Sequence, residues 1–82
     1  MKVWPKGKPG EPGEALVFDG SATTATAIVA WCGPEHALFD AAIGSLSVLG
    51  EPVPPGSSVV NPYRGGFEVV DAAGFTATWE RG

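Results

Sequence analysis

Residues 74–82 read "GFTATWERG", and they place a large aromatic, Trp79, where a chain end usually frays. Either this stretch is a tail carrying a sticky exposed ring, or it is a docked strand whose ring belongs to the core. Alternation favours docking. Phe75, Ala77 and Trp79 share one face of an extended segment, and Thr76 and Thr78 share the other. An indole ring held inward removes ~150 Å² or more from water, worth roughly 2–3 kcal/mol. Just before it, "DAAG" (71–74) reads as a single helical turn or tight corner.

Such a sum matters because the chain has 82 residues. A domain of this size buries only about 60–65% of the surface its unfolded form exposes. A hydrophobic content of 44%, with three Trp, four Phe and one Tyr, supplies a core, and the 17% charged residues are too few for a disordered chain. Twelve Gly and eight Pro imply many turns and short elements. The net charge of −4 argues against a basic face for DNA or RNA, whose phosphates need clustered Lys and Arg. A single Cys and a single His leave zinc binding and Cys/His catalysis poorly supplied, so no metal and no cofactor are expected. Apolar runs are too short to span a bilayer, and the opening "MKVWPKGKPGEPGEA" lacks the apolar segment of a signal peptide.

Upstream, "GKPGEPG" (7–13) places Gly at every third position, but the period stops there, far short of a collagen helix. Residues 1–13 read instead as a stiff, Pro/Gly-rich arm, and residues 14–82 as one domain. The domain opens on a strand, "EALVF" (14–18), with Ala15 and Val17 on one face and Leu16 and Phe18 on the other. "DGSATTATAIVAWCG" (19–33) is the helix candidate. Ser21, Thr23 or Thr24 caps its start, and Gly33-Pro34 ends it. Thr24, Ile28 and Trp31 form a stripe for a sheet, and Cys32 is read as a small buried hydrophobe. Beyond Pro34 come short apolar pieces, of which "SLSVL" and "GFEVV" alternate, and "NPYRGG" (61–66) reads as the turn joining "SSVV" to "FEVV" in a hairpin, with Gly65 or Gly66 at positive φ.

That turn carries the candidate binding residues. Tyr63 offers a stacking face, Arg64 grips a phosphate or carboxylate bidentately, and Gly65 and Gly66 let backbone N–H groups approach a ligand, with Asn61 at the base. Trp4, between Lys2 and Lys6, lacks a periodic partner and is the candidate interface residue. The pairs Glu35/Asp40 and Glu68/Asp71 read as solvated carboxylates, and no catalytic set is evident.

Lys8-Pro9, Glu14-Ala15, Trp31-Cys32-Gly33, Pro55-Gly56, Gly66-Phe67 and Phe75-Thr76-Ala77-Thr78-Trp79-Glu80 occur in an order that resembles a family of small tailed-phage and prophage proteins. The resemblance runs over nearly the whole chain. Three departures stand out: Ser57-Ser58 where the family has Asp and an aromatic, Val69-Val70 for Pro-Cys, and Trp79 for Tyr. The family implies expression in the bacterial host cytoplasm, and it implies no reaction.

The expected fold is α+β, with one short helix on a curled antiparallel sheet of about five strands, a partial barrel being one form of it. The expected function is non-enzymatic: a phage accessory or anti-defence protein that sequesters a small signalling nucleotide or engages a host protein. A structural or assembly component of the phage is the alternative. A domain this small often gains stability as a homo-oligomer, through a sheet edge or the Trp4 arm.

Overall fold

A computed structural model describes residues 1–7, 10, 12–62 and 66–81. The fold is α+β. Among the described residues, eight strands and two helices follow in the order β1 (Lys2–Pro5), β2 (Gly13–Val17), α1 (Ala22–Cys32), β3 (Ala37–Asp40), β4 (Ser45–Val48), β5 (Glu51–Val53), β6 (Ser58–Asn61), β7 (Glu68–Val70), α2 (Ala72–Thr78) and β8 (Trp79–Arg81). They form two antiparallel sheets, one ordered β7-β6-β2-β1-β8 and the other β3-β4-β5. The larger sheet is open rather than closed into a barrel.

Alternation along the central strands assigns each face a partner layer. Leu16, Phe18, Val59 and Val69 point toward α1 and the small sheet, where they pack with Ile28, Leu46 and Val48. Ala15, Val60 and Val70 point the other way and pack with Val3, Phe75 and Trp79. One sheet thus separates two cores. A β2–β6 register of Ala15 opposite Val60 and Leu16 opposite Val59 keeps both sets in phase. At the start of β2 the strands come so close that a Cβ on Gly13 would lie 2.7 Å from the Asn61 carbonyl oxygen.

α1 begins where its hydroxyls place it. The Ser21 side chain accepts from the Thr24 N–H at 3.2 Å, and Gly33, at φ 96°, ends the helix with its N–H on the Val29 carbonyl. Buried Ala25, Ile28 and Cys32 form its inner stripe. Trp31 is half-buried and meets Phe67 edge-on at 5.1 Å.

The closing segment is docked, but by a different element from the expected one. Residues 75–78 are helical, and only Trp79–Arg81 form a strand. Asp71 is the physical reason. Its side chain accepts from the Gly74 N–H at 2.6 Å and its carbonyl from the Phe75 N–H at 2.8 Å, so the chain enters a helix at residue 72. Phe75 and Trp79 are buried while Ala77, expected to share their face, is exposed. Positions four apart share a face in a helix and in a strand alike; positions two apart do so only in a strand. The expected antiparallel sheet of five strands is present, and the described residues add to it a second helix and a separate three-stranded sheet.

Residues 2–5 of the N-terminal arm are paired on both sides, Val3 opposite Gly13 and Arg81, with Val3 fully buried. The β6–β7 hairpin has the expected partners, Val59 opposite Val69.

Candidate functional site

The loop singled out from sequence falls largely outside the described residues: Tyr63, Arg64 and Gly65 all do. Of its flanks, Asn61 ends β6 half-buried opposite Glu14 and is already engaged, and Gly66 is exposed without a positive φ. Trp4, the candidate interface residue, is half-buried on β1, opposite Glu80. Its Nε1–H donates to the Gly10 carbonyl at 3.1 Å, which holds the ring against its own arm.

Among the described residues titratable groups line shallow concavities only in small sets, Glu35 with His36, Glu51 with Glu68, and Lys6 with Glu80 and Arg81. Glu35, Asp40, Glu68 and Asp71 are exposed, and Asp71 is committed to capping α2. Among the described residues no cluster of three or more His, Cys, Asp or Glu has metal-binding geometry. Cys32 is buried at the C-terminal end of α1, and desolvation pushes its thiol above the ordinary range, away from a nucleophilic thiolate. His36 is exposed, with Nε2 3.7 Å from a Glu35 carboxylate oxygen. Among the described residues Asp19 is the one carboxylate clearly displaced, held down to about 2 by the Ser21 hydroxyl, then the Thr24 hydroxyl and the Ser21 N–H. Those bonds organise the start of α1.

A different face presents the features of a contact surface. The β3–β4–β5 sheet turns Leu46, Val48 and Val53 into the core and leaves its other side to solvent. On that sheet and its turns Leu38 is 69% exposed, Ile43 75% and Leu49 53%. Leu38 and Leu49 line one shallow concavity together with His36 and Ser47. Leu38 also borders a groove of about 430 Å³ between α1 and β3, walled by Val29, Ala30, Pro34 and Phe39.

The backbone at Leu49 is unusual. β4 and β5 are joined by the two-residue loop Leu49-Gly50, with Leu49 at φ 51° and Gly50 at φ 80°. Two successive positive φ values mark the hairpin turn that favours Asn-Gly. Leucine in the left-handed region is strained, and Leu49 is the only non-glycine residue there among those described. A strained and exposed leucine does little for folding.

Charge is segregated around this face. No Lys or Arg occurs between Lys8 and Arg64, whereas Asp19, Glu35, Asp40 and Glu51 do. The described residues of α1 and the small sheet thus combine apolar groups with carboxylates and carry no Lys or Arg of their own. Sequence reasoning missed this surface; "SLSVLGEPV" (45–53) did carry its signal, two short apolar pieces separated by a Leu-Gly pair.

No described helix is long and apolar enough to cross a membrane. Comparison with protein-family models, with curated proteins and with solved structures returns no match for this chain.

Proposed function

We propose that this chain is a non-enzymatic binding module that engages a partner protein through the outer face of the β3–β4–β5 sheet. The observation that carries the reading is the trio Leu38, Ile43 and Leu49, 69, 75 and 53% exposed, the last held in a strained turn. Leu38 lies on β3, and Ile43 and Leu49 lie in the turns at the two ends of β4; large apolar groups exposed on and beside one small sheet are the usual material of a contact surface, where they lose their water to a partner. A left-handed leucine adds the argument that folding alone would favour another residue at position 49. The resemblance to small tailed-phage proteins gives the setting: the partner is a host protein in the bacterial cytoplasm, and the chain is an accessory factor that occupies it.

The test uses Leu38→Ser and Ile43→Ser, both at exposed positions where the fold tolerates the change. Tagged wild-type and variant proteins are incubated with host lysate, and retained proteins are quantified by mass spectrometry. A single host protein recovered stoichiometrically by the wild type and depleted with both variants is the expected result. Equal recovery by all three overturns the reading. A parallel thermal-shift panel of cyclic nucleotides and ADP-ribose derivatives probes the 61–66 loop; stabilisation by one of these, with no host protein retained, would replace protein engagement by nucleotide sequestration.

A further inference from the structure

We propose that the partner contributes an extended segment, apolar in its middle and basic at its ends, which adds as a fourth strand to the free edge of β3. This rests on reading the face around Leu38 as a protein-docking surface, and it specifies the shape and charge of what docks.

Among the described residues β3 is an outer strand of its sheet, paired on one side by β4 and on the other by no strand. The phase of its hydrogen bonds can be worked out. The Leu49 N–H donates to the His36 carbonyl at 2.7 Å, and 36/49 continues the register of Ala37 opposite Val48 and Leu38 opposite Ser47. In an antiparallel ladder bonded and non-bonded pairs alternate. Pairs 36/49, 38/47 and 40/45 are therefore the bonded ones, and the backbone groups of Ala37 and Phe39 point away from β4. The Ala37 N–H is satisfied by the Gly33 carbonyl at 3.1 Å. The Ala37 carbonyl and both polar groups of Phe39 remain directed along the open edge, a template for an incoming strand.

The groove lies on that same side. Its walls are α1, through Thr26, Val29 and Ala30, then Pro34 and β3, and no residue of β4 or β5 borders it. Thr26, Val29 and Ala30 fall at i, i+3 and i+4, one helical stripe running beside the strand. A strand entering here bonds to β3 on one side and turns alternate side chains onto Val29, Ala30 and Phe39. The groove, about 430 Å³, has room for one or two such side chains but not for a whole amphipathic helix face.

Charge sets the ends. Glu35 lies in the turn two residues before β3 and Asp40 closes the strand, both exposed, with no Lys or Arg anywhere on α1, β3, β4 or β5. The strand itself spans roughly 10 Å at the strand rise, with Glu35 in the turn before it, so a matching segment carries Lys or Arg at its two ends with apolar residues between. A second copy of this chain is a poor occupant, because its own β3 would bring Glu35 and Asp40 against their equivalents.

The test uses synthetic peptides and the full chain, isotopically labelled for amide NMR. The probes are acetyl-KVTVTK-amide, the same peptide with Glu at both ends, and a Lys/Leu peptide of helical period. The basic extended peptide is expected to shift amides of residues 26–30 and 37–39 and to bind at least tenfold more tightly than the acidic one. Glu35→Gln with Asp40→Asn should erase that preference without unfolding the protein, and N-methylation of the central valine should abolish binding. Tighter binding by the helical peptide at the same amides overturns strand addition while leaving the docking face intact. Shifts confined to other elements, no binding by any probe, or self-association through β3 seen as concentration-dependent sedimentation also overturn it.

Discussion

Replacing Leu49 separates what the fold needs from what the surface is for. At φ 51° an L-residue meets a steric penalty of ~1–2 kcal/mol, which Asn largely avoids and Ala does not. Leu49 is 53% exposed, so about half of its side chain is sheltered. Full burial of a leucine is worth about 2–3 kcal/mol, and losing that half costs ~1 kcal/mol. Leu49→Ala forfeits the sheltered area and keeps the strain, so it should destabilise by ~1 kcal/mol. Leu49→Asn forfeits the same area but relieves the strain, and should lie between unaltered and ~1 kcal/mol more stable, a rise of up to about 4–8 °C in Tm for a chain of this size. Urea and thermal denaturation of wild type and both variants give the comparison, and the Asn-minus-Ala difference of ~1–2 kcal/mol isolates the turn geometry. Both variants should lose partner capture. An Asn variant less stable than the Ala variant would refute the strain argument, and undiminished capture by both would show that Leu49 is not part of the contact.

Gly13→Ala should cost ~1–3 kcal/mol in urea denaturation, because its Cβ would stand 2.7 Å from the Asn61 carbonyl oxygen on the facing strand; a change under ~0.5 kcal/mol would mean the strands part freely. Asp71→Ala removes the 2.6 Å bond to the Gly74 N–H and should cost ~1 kcal/mol, with Asp71→Ser restoring most of it, whereas equal stability of all three would remove the cap as the reason α2 starts there. Asp19, held down to about 2, favours the fold above the unfolded carboxylate value of about 4, and that contribution disappears as the pH falls from ~4 toward ~2. Asp19→Asn should therefore flatten stability over that acid limb, and a limb as steep as wild type's would place the acid sensitivity elsewhere.

How much of this was legible depended on whether one local rule acted alone. The opening of α1 follows from hydroxyls at Ser21 and Thr24 and its end from Gly33, so the helix was readable to within a residue or two. Alternation at Ala15 and Leu16 set the two faces of β2 correctly because both faces are covered. In "DAAGFTATW" two rules competed. Threonines suggested a strand, Phe75 and Trp79 fit either period, and the Asp71 cap decided for the helix. The small sheet was obscured because its strands are three or four residues long, so the alternation in "SLSVL" marks one strand without naming its partners, and its turn uses Leu49 where Asn is the usual signal. The docking face was missed with it, since exposure of Leu38 and Leu49 depends on which side of that sheet meets the core. The Tyr63-Arg64-Gly65 loop, favoured on residue chemistry, lies outside the described residues.

The most direct test of the docking face is photo-crosslinking inside bacterial cells, with a benzophenone amino acid placed at Leu38 or, on the far side of the large sheet, at exposed Ala77. A discrete protein adduct from position 38 that is absent from position 77 is the predicted result. Adducts of equal yield from both positions, or from 77 alone, would contradict the account.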